Sequence, residues 1–387
     1  MLGSLNSVKN LSSWVALSLI LSCSERPVLT VQKLAASEET GDQTPITPKK
    51  VPKENPSGDL KDDTDEIADK DSDEVVEEPK DKPTPPVEPA KEPAICAQPS
   101  SADNFPADLK PVEIALPKTK DFLEGPVWIE SEQALVFSAW DFSGDQSNGP
   151  MSTILRLKGS DFSTYSASGV FGTNGIAIDN KGRLLGALHD KQQIAFLSAD
   201  GKREVIASSF EGKPFNSPND LTVRSDGVVY FVDPDYQKSG RSGQPVTGVY
   251  GVKTNGEVFS VDKTIPRPNG ILLTLDEKTL YVGGEDGAIH RYKLAADGTT
   301  TRDATDFVRT AAGVDGLGID CQGNIYFTIP SMQEVHIYSP AGKIYTRIKF
   351  PFNATNVAFG GADKKTMFVT TAGRLYKVDM KVPGLPY

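Results

Sequence analysis

A six-bladed, all-β propeller built of four-stranded antiparallel blades is the architecture that the sequence predicts. Three observations carry this. A pattern of polar residue, apolar strand, turn and second strand recurs six times; its starts lie 41 to 50 residues apart; and no segment sustains a helical period. A repeat of that length with room for about four strands is how propeller blades announce themselves in sequence.

The elements follow in chain order. Residues 1–23 of the 387 read as a targeting segment, with Lys9 as a basic start, Trp14 to Leu21 as a short apolar run, and Ser22 before Cys23. The run is too short to span a bilayer. Leu19-Ile20-Leu21-Ser22-Cys23 is similar to a bacterial lipobox, although Leu21 is bulkier than usual there. A lipid anchor at Cys23 is therefore expected, facing the periplasm or cell surface, with plain secretion as the alternative.

Residues 24–104 change character. They hold 20 Asp plus Glu against 10 Lys plus Arg, so most of the formal net charge of −11 belongs to them. Rich in Pro and charge and almost without aromatics, this stretch cannot bury enough apolar surface to offset ordering, and reads as a disordered, self-repelling tether. No basic patch suggests nucleic acid. With Cys23 lipidated, Cys96 and Cys321 form an even pair in an oxidising compartment, and a disulfide between them would pin the start of the folded part to its body.

Residues 105–387 hold the blades. The repeats are "EGPVWIESEQALVFSA" from Glu124, "NGIAIDNKGRLLGAL" from Asn174, "NDLTVRSDGVVYFVD" from Asn219, "NGILLTLDEKTLYVGG" from Asn269, "DGLGIDCQGNIYFTI" from Asp315 and "NVAFGGADKKTMFVTT" from Asn356. Each strand is β-branched and aromatic, and each hairpin turn carries Asp, Gly or Lys. The sixth blade is one strand short at the C-terminal end. "VEIAL" at 112–116 is spare, and is expected to close the ring as that blade's outer strand, removing an exposed edge. Two β-sandwiches are the rival architecture, disfavoured by six near-regular spacings.

In a propeller the first strand of each blade lines the central channel, so residues at equivalent starts converge on the axis. Here they are Glu124, Asn174, Asn219, Asn269, Asp315 and Asn356, every one bearing a carboxylate or amide oxygen. Such a ring suits a hard divalent cation; calcium is expected, with zinc, manganese and magnesium as alternatives. Singly, each Asn-Gly or Asp-Gly is better read as a hairpin turn. Those turns, however, are already supplied by "SDG", "NKG", "LDEK" and "CQG", one strand later. Glu124, Asn219, Asn269 and Asp315 are the expected metal ligands, while Asn174 and Asn356 fit equally as buried, hydrogen-bonded neighbours.

"LEGPVW", "NSPNDLTVRSDGVVYFVDPDY", "RPNGILLTLDEKTLYV", "VDGLGIDCQGNIYFT" and "TNVAFGGADKKTMFVTTAGRLYKVDMKVPG" together resemble the senescence marker protein, gluconolactonase and regucalcin family, in its bacterial gluconolactonase-like branch. The resemblance covers most of residues 121–384. It implies a propeller with a divalent cation at the channel mouth, held at Glu124, Asn269 and Asp315, with Asn219 contacting metal or substrate and Asp315 as catalytic base or nucleophile. The branch often reads "EHG" where this chain has Leu188-His189-Asp190, and "DPPYG" where it has Asp233-Pro234-Asp235-Tyr236-Gln237, which bears on substrate preference. His189 and Asn174 are the further candidates for substrate contact, His189 fitting a structural strand-end role as well. His290 and His336 read as structural.

The expected function is metal-dependent hydrolysis of a small-molecule sugar lactone, with membrane contact only through the anchor. Two rivals keep the fold: the same site acting on other lactones or organophosphates, and a calcium-stabilised propeller that binds carbohydrate or protein without turnover. No "GxSxG" elbow or Ser-His-Asp order is present. Nothing in the sequence specifies an oligomeric state.

Overall fold

The computed structural model describes residues 93–166 and 172–385. The expected leader and lipid anchor at 1–23, and residues 24–92 of the expected tether, lie outside the described residues.

Six antiparallel sheets form the blades, each wound from the innermost strand outward. Blade 1 comprises Phe122–Ile129, Ala134–Asp141, Met151–Lys158 and Asp161–Thr164; blade 2 comprises Thr173–Ile178, Leu184–Leu188, Gln193–Leu197 and Arg203–Ala207. Blade 3 runs Leu221–Val223, Val229–Asp233, Gly248–Val252 and Val258–Asp262, and blade 4 runs Pro268–Leu273, Thr279–Gly284, Ala288–Leu294 and Thr300–Arg302. Blade 5 follows as Leu317–Ile319, Ile325–Ile329, Glu334–Tyr338 and Ile344–Lys349, and blade 6 as Ala354–Gly360, Thr366–Thr371 and Leu375–Asp379. Val112–Ile114 completes blade 6 by pairing with Leu375–Asp379, Val112 opposite Lys377 and Ile114 opposite Leu375. The spare N-terminal strand thus closes the ring as expected.

Two additions were not foreseen. Val308–Arg309 pairs with Ala288–Leu294 as a fifth strand of blade 4, and Ser209–Phe210 pairs with Lys213–Pro214 between blades 2 and 3. Among the described residues helix is confined to 3-10 turns such as Glu130–Glu132. Among the described residues no helix is long and apolar enough to cross a membrane.

The core lies between blades, because each blade buries both faces against its neighbours. Val127, Val136 and Ile154 of blade 1 pack on Ile176, Leu184 and Leu197 of blade 2. Leu272, Tyr281 and Ile289 of blade 4 meet Leu317, Ile325 and Phe327 of blade 5 in the same way. Two buried faces explain why the second strands, such as Val229–Asp233, read as unbroken buried runs rather than alternating ones.

The tether ends earlier than the sequence reading placed it. Residues 93–104 lie on the propeller, joined by the Cys96–Cys321 disulfide at the hairpin turn of blade 5. Gln322 Nε2 donates to the Ile95 carbonyl at 2.8 Å, and the Ser100 hydroxyl lies 2.8 Å from that of Tyr345. Phe105 stacks on Tyr345 with ring centroids 5.5 Å apart. Composition averaged over a charged stretch conceals such an edge, since a few side chains suffice to dock it.

Candidate active site

The first strands carry the polar residues to one rim of the channel, and local irregularity aims them. In blades 1, 2, 4 and 6 the ladder between first and second strands shifts register right at the motif, between Glu124 and Val127, Thr173 and Ile176, Pro268 and Ile271, and Ala354 and Asn356. A bulge inserts an unpaired residue and redirects its side chain. Here it turns Glu124 and its counterparts out of the interblade face and toward the axis.

The glycine after each polar residue has a steric cause. A Cβ on Gly270 would lie 2.1 Å from the Asp315 carbonyl oxygen, and one on Gly316 would lie 2.2 Å from Asn356 Cγ. Gly125 and Gly175 stand in the same relation to Asn174 and Asn219. Each blade therefore seats its glycine against the polar residue of the next, which draws the first strands into a narrow ring. Two blades break this rule. Blade 3 has Asp220 in the glycine position and blade 6 has Val357.

Asp220 is a further residue of the channel site, which sequence reasoning missed. Its carboxylate lies in the channel, accepts the Leu221 N–H at 2.9 Å, and accepts Asn356 Nδ2–H from across the channel at 3.4 Å. The same Asn356 amide hydrogen-bonds Glu124. Burial pushes the Asp220 carboxyl up to about 7. Burial, then the charges of Asp315 and Asp220, hold Glu124 well above the usual carboxylate range, against the Gly125 N–H at 3.1 Å and the Asn356 amide. Glu124, Asp220 and Asp315 are 5%, 8% and 8% exposed, so their repulsion acts in a medium that screens it poorly. The departure of "ND" from the "NG" of the other blades was the available signal.

The other expected site residues fall into two groups. Asn219 and Asn269 hold the equivalent rim positions of blades 3 and 4; Asn219 is buried and Asn269 half-buried. Asn174, in blade 2, is buried with its Oδ1 lacking a hydrogen-bond partner among the described residues. His189 is not presented on the rim. It is fully buried in the wall, its Nε2 2.7 Å from the Pro150 carbonyl and its ring edge-on to Trp140 at 5.2 Å. Burial lowers its pKa to about 4, so the ring is neutral. A polar strand-end histidine looks the same in sequence whether it meets substrate or a backbone carbonyl; the structure favours the carbonyl.

Tyr236 also belongs to the mouth. It feels the charges of Glu285 and Asp315, and Arg267 lies over its ring at 5.4 Å while bonding Asp235 at 2.6 Å. Asp233 anchors the neighbouring loop: its buried carboxylate accepts the N–H groups of Asn216 and Ser217 at 2.8–2.9 Å, which fixes the approach to Asn219. Below the ring the channel turns apolar, lined by Val127, Ile176, Ile271, Leu317 and Val357, with Leu385 also contributing.

This donor set fits a hard divalent cation. Burial dominates the upward shifts of Glu124 and Asp220, with like charge adding to that of Glu124 and neutral hydrogen-bond donors opposing both; a bound cation would supply the compensating charge that buried anions favour. Among the described residues no group of three or more His, Cys, Asp or Glu could hold an ion alone. Amide oxygens, such as those of Asn219 and Asn269, would have to complete the shell.

A family model described as SMP-30/Gluconolactonase/LRE-like region matches residues 122–373. A gluconolactonase of Zymomonas mobilis is 29% identical over 295 residues, covering 67% of this chain and 79% of its own. The pentonolactonase XacC of Haloferax volcanii is 27% identical over 259 residues, covering 65% and 81%. A solved structure provisionally assigned as a gluconolactonase superposes with a TM-score of 0.62 at 27% identity, over 74% of this chain and 97% of its own.

Proposed function

Since the chain belongs to the SMP-30/gluconolactonase/LRE-like family, we propose that it hydrolyses lactones of sugar acids, opening the ring by adding water to the lactone carbonyl. The observation that carries this reading is the gathering of three buried carboxylates, Glu124 with Asp315 and Asp220, within one electrostatic reach at the channel mouth. The gluconolactonase and pentonolactonase relatives support the same substrate class.

Glu124, Asp315, Asn219 and Asn269 are the residues that would hold a divalent cation, calcium being favoured by an all-oxygen set. Bound there, it would polarise the carbonyl and stabilise the charge developing on its oxygen. Asp315 would receive the proton of the attacking water; direct attack by its carboxylate is the alternative route. Asn219 and Asn269 offer amides to orient substrate hydroxyls. Asn356, bonded to both Glu124 and Asp220, holds these two carboxylates in register. The apolar channel beneath leaves substrate and water to enter from the mouth. A lipid anchor at Cys23 would display the activity at a membrane surface.

The test is a pH-stat assay of purified protein on a panel of aldonolactones. Turnover is expected, abolished by chelator, restored by calcium, and reduced about 10²–10⁴-fold in Asp315→Asn. Rates indifferent to chelation and to Asp315→Asn overturn the reading.

A further inference from the structure

We propose that Asp235 and Glu285 make the site selective for uncharged lactones: between them they hold and neutralise Arg267 at the edge of the mouth, so that a lactone bearing an anionic group finds this counter-charge already engaged. This rests on the lactone reading above and names the charge class of its substrate.

Three segments distant in sequence build the clamp. Asp235 follows the second strand of blade 3, Val229–Asp233; Arg267 leads into the first strand of blade 4, Pro268–Leu273; and Glu285 follows the second, Thr279–Gly284. First strands start and second strands end at the mouth, so all three residues lie on that rim. Pro268 pairs with Gly284, and the Glu285 N–H donates to the Pro266 carbonyl at 3.2 Å, which brings Arg267 alongside Glu285. Arg267 is two residues before Asn269. On the other side the Val314 N–H, one residue before Asp315, donates to the Gly284 carbonyl at 3.1 Å. The clamp therefore adjoins two of the residues expected to hold the cation.

Arg267 Nε donates to Asp235 Oδ1 at 2.6 Å and Nη1 donates to Glu285 Oε1 at 3.4 Å, with the guanidinium 5.4 Å over the Tyr236 ring. The Tyr236 hydroxyl in turn hydrogen-bonds Glu285. The Asp235 and Glu285 side chains are 41% and 43% exposed, and ion pairs so open to water add little stability. Yet Arg267 adopts a strained backbone to meet them. Its φ is +43°, in the left-handed region, whereas a following proline favours extended backbone. Strain of this kind is kept where a function needs it.

The surrounding charge selects the substrate. Asp235 and Glu285 set two carboxylates against one guanidinium, and a dication at the rim would be balanced by Glu124 and Asp315. The neighbouring cations are engaged as well. Lys238 Nζ lies 3.4 Å from the Gln244 carbonyl, and Arg241 donates to the carbonyls of His189, Asp190 and Gln237 at 2.7–2.8 Å. An anionic substituent would meet repulsion from Asp235 and Glu285; a hydroxyl would not. Asp235 also stands where the branch often carries proline, which could not hold the arginine.

The experiment compares γ-gluconolactone with the γ-lactone of glucaric acid, which differ only at the terminal carbon, hydroxymethyl in one and carboxylate in the other. Wild type is expected to favour the neutral lactone by about tenfold or more in kcat/KM. In Asp235→Asn, and separately in Glu285→Gln, the ratio of anionic over neutral should rise about tenfold, through KM. Adding Arg267→Gln to Asp235→Asn should return the ratio to that of wild type. A wild type that prefers the anionic lactone overturns the proposal. So does a ratio unmoved in Asp235→Asn (or in Glu285→Gln, should the first variant fail to fold), or a gain that survives loss of the arginine. If wild type turns over neither lactone, the reaction assigned above fails, and calorimetric binding of the same pair tests the clamp. An anionic lactone bound more tightly by Asp235→Asn than by wild type upholds it; equal binding, or none, overturns it.

Discussion

Asn356 of blade 6 donates Nδ2–H to the Asp220 carboxylate of blade 3 at 3.4 Å, joining opposite blades across the channel. These are the two blades whose polar residue is not followed by glycine. Where the other first strands close up by steric thinness, these two meet side chain to side chain. The bond is long and spans a cluster of like charges, so the carboxylate costs stability unless a cation compensates it. In chelator-treated protein Asp220→Asn is expected to melt above wild type, by about 2–4 °C for each kcal/mol of repulsion relieved. With calcium the difference should shrink or reverse. Scanning calorimetry in the two conditions decides it, and a variant that melts lower in chelator would show Asp220 to be already compensated.

The cation itself should register as stability. A ligand that binds only the folded state adds about 2.7 kcal/mol at a hundredfold excess over its Kd. Calcium is expected to raise the melting temperature of wild type and to leave Glu124→Gln nearly unmoved, since that change removes one of the buried carboxylates. Fluorimetry with a calcium titration reads this directly. Equal shifts in both proteins would place the ion elsewhere.

The glycine relay makes a sharper structural claim. A methyl on Gly316 would sit 2.2 Å from Asn356 Cγ and one on Gly270 would sit 2.1 Å from the Asp315 carbonyl oxygen. The neighbour is a site side chain in one case and backbone in the other, so neither can yield cheaply. Gly316→Ala and Gly270→Ala are each expected to destabilise by about 1–3 kcal/mol, the usual range for overpacking, and to lower lactone turnover by shifting site residues. Urea unfolding with parallel kinetics tests both. Alanine variants as stable as wild type would remove the steric account of the ring.

Much of this was legible beforehand. Six polar-plus-apolar starts at near-constant spacing specify a ring, because only closure makes equivalent starts meet, and the spare strand at 112–114 follows from counting. The bulges were not legible: a register shift at Glu124 or Pro268 depends on how two strands pair, which a single strand's composition does not encode. Asp220 hid because Asn219-Asp220 reads as turn chemistry, although its glycine-replacing position could have been noticed. His189 stayed open in sequence between substrate contact and a structural strand-end role, since its Nε2 partner is a backbone carbonyl 39 residues away, and carbonyls leave no mark in sequence.

The N-terminal segment offers a further test. Cys96 and Cys321 close a loop across 225 residues of sequence. Cross-links of this kind contribute about 2–4 kcal/mol, chiefly by restricting the unfolded chain. Cys96→Ser is expected to lower stability by that order while sparing turnover, because the disulfide joins the turn at the far end of the blade 5 hairpin from Asp315. Loss of activity in proportion to stability would instead tie the segment to the site.

His189 sets the acid limit. Burial holds it neutral to about pH 4, whereas the unfolded chain takes a proton near its ordinary 6.5. Between these values the unfolded state binds more protons, so stability present above pH 6.5 is lost as the pH falls toward 4. A shift of this size corresponds to something on the order of 3 kcal/mol. Asp190 favours the charged ring, and Arg203 and Arg241 oppose it, so the balance depends on that trio remaining in place. His189→Gln, which keeps a donor for the Pro150 carbonyl, is expected to start less stable at pH 7 and to lose less on acidification. Urea midpoints at pH 7, 5.5 and 4.5 give the two slopes. Parallel slopes would mean that some other group governs acid unfolding, and that the wall beside Trp140 admits a charged imidazole.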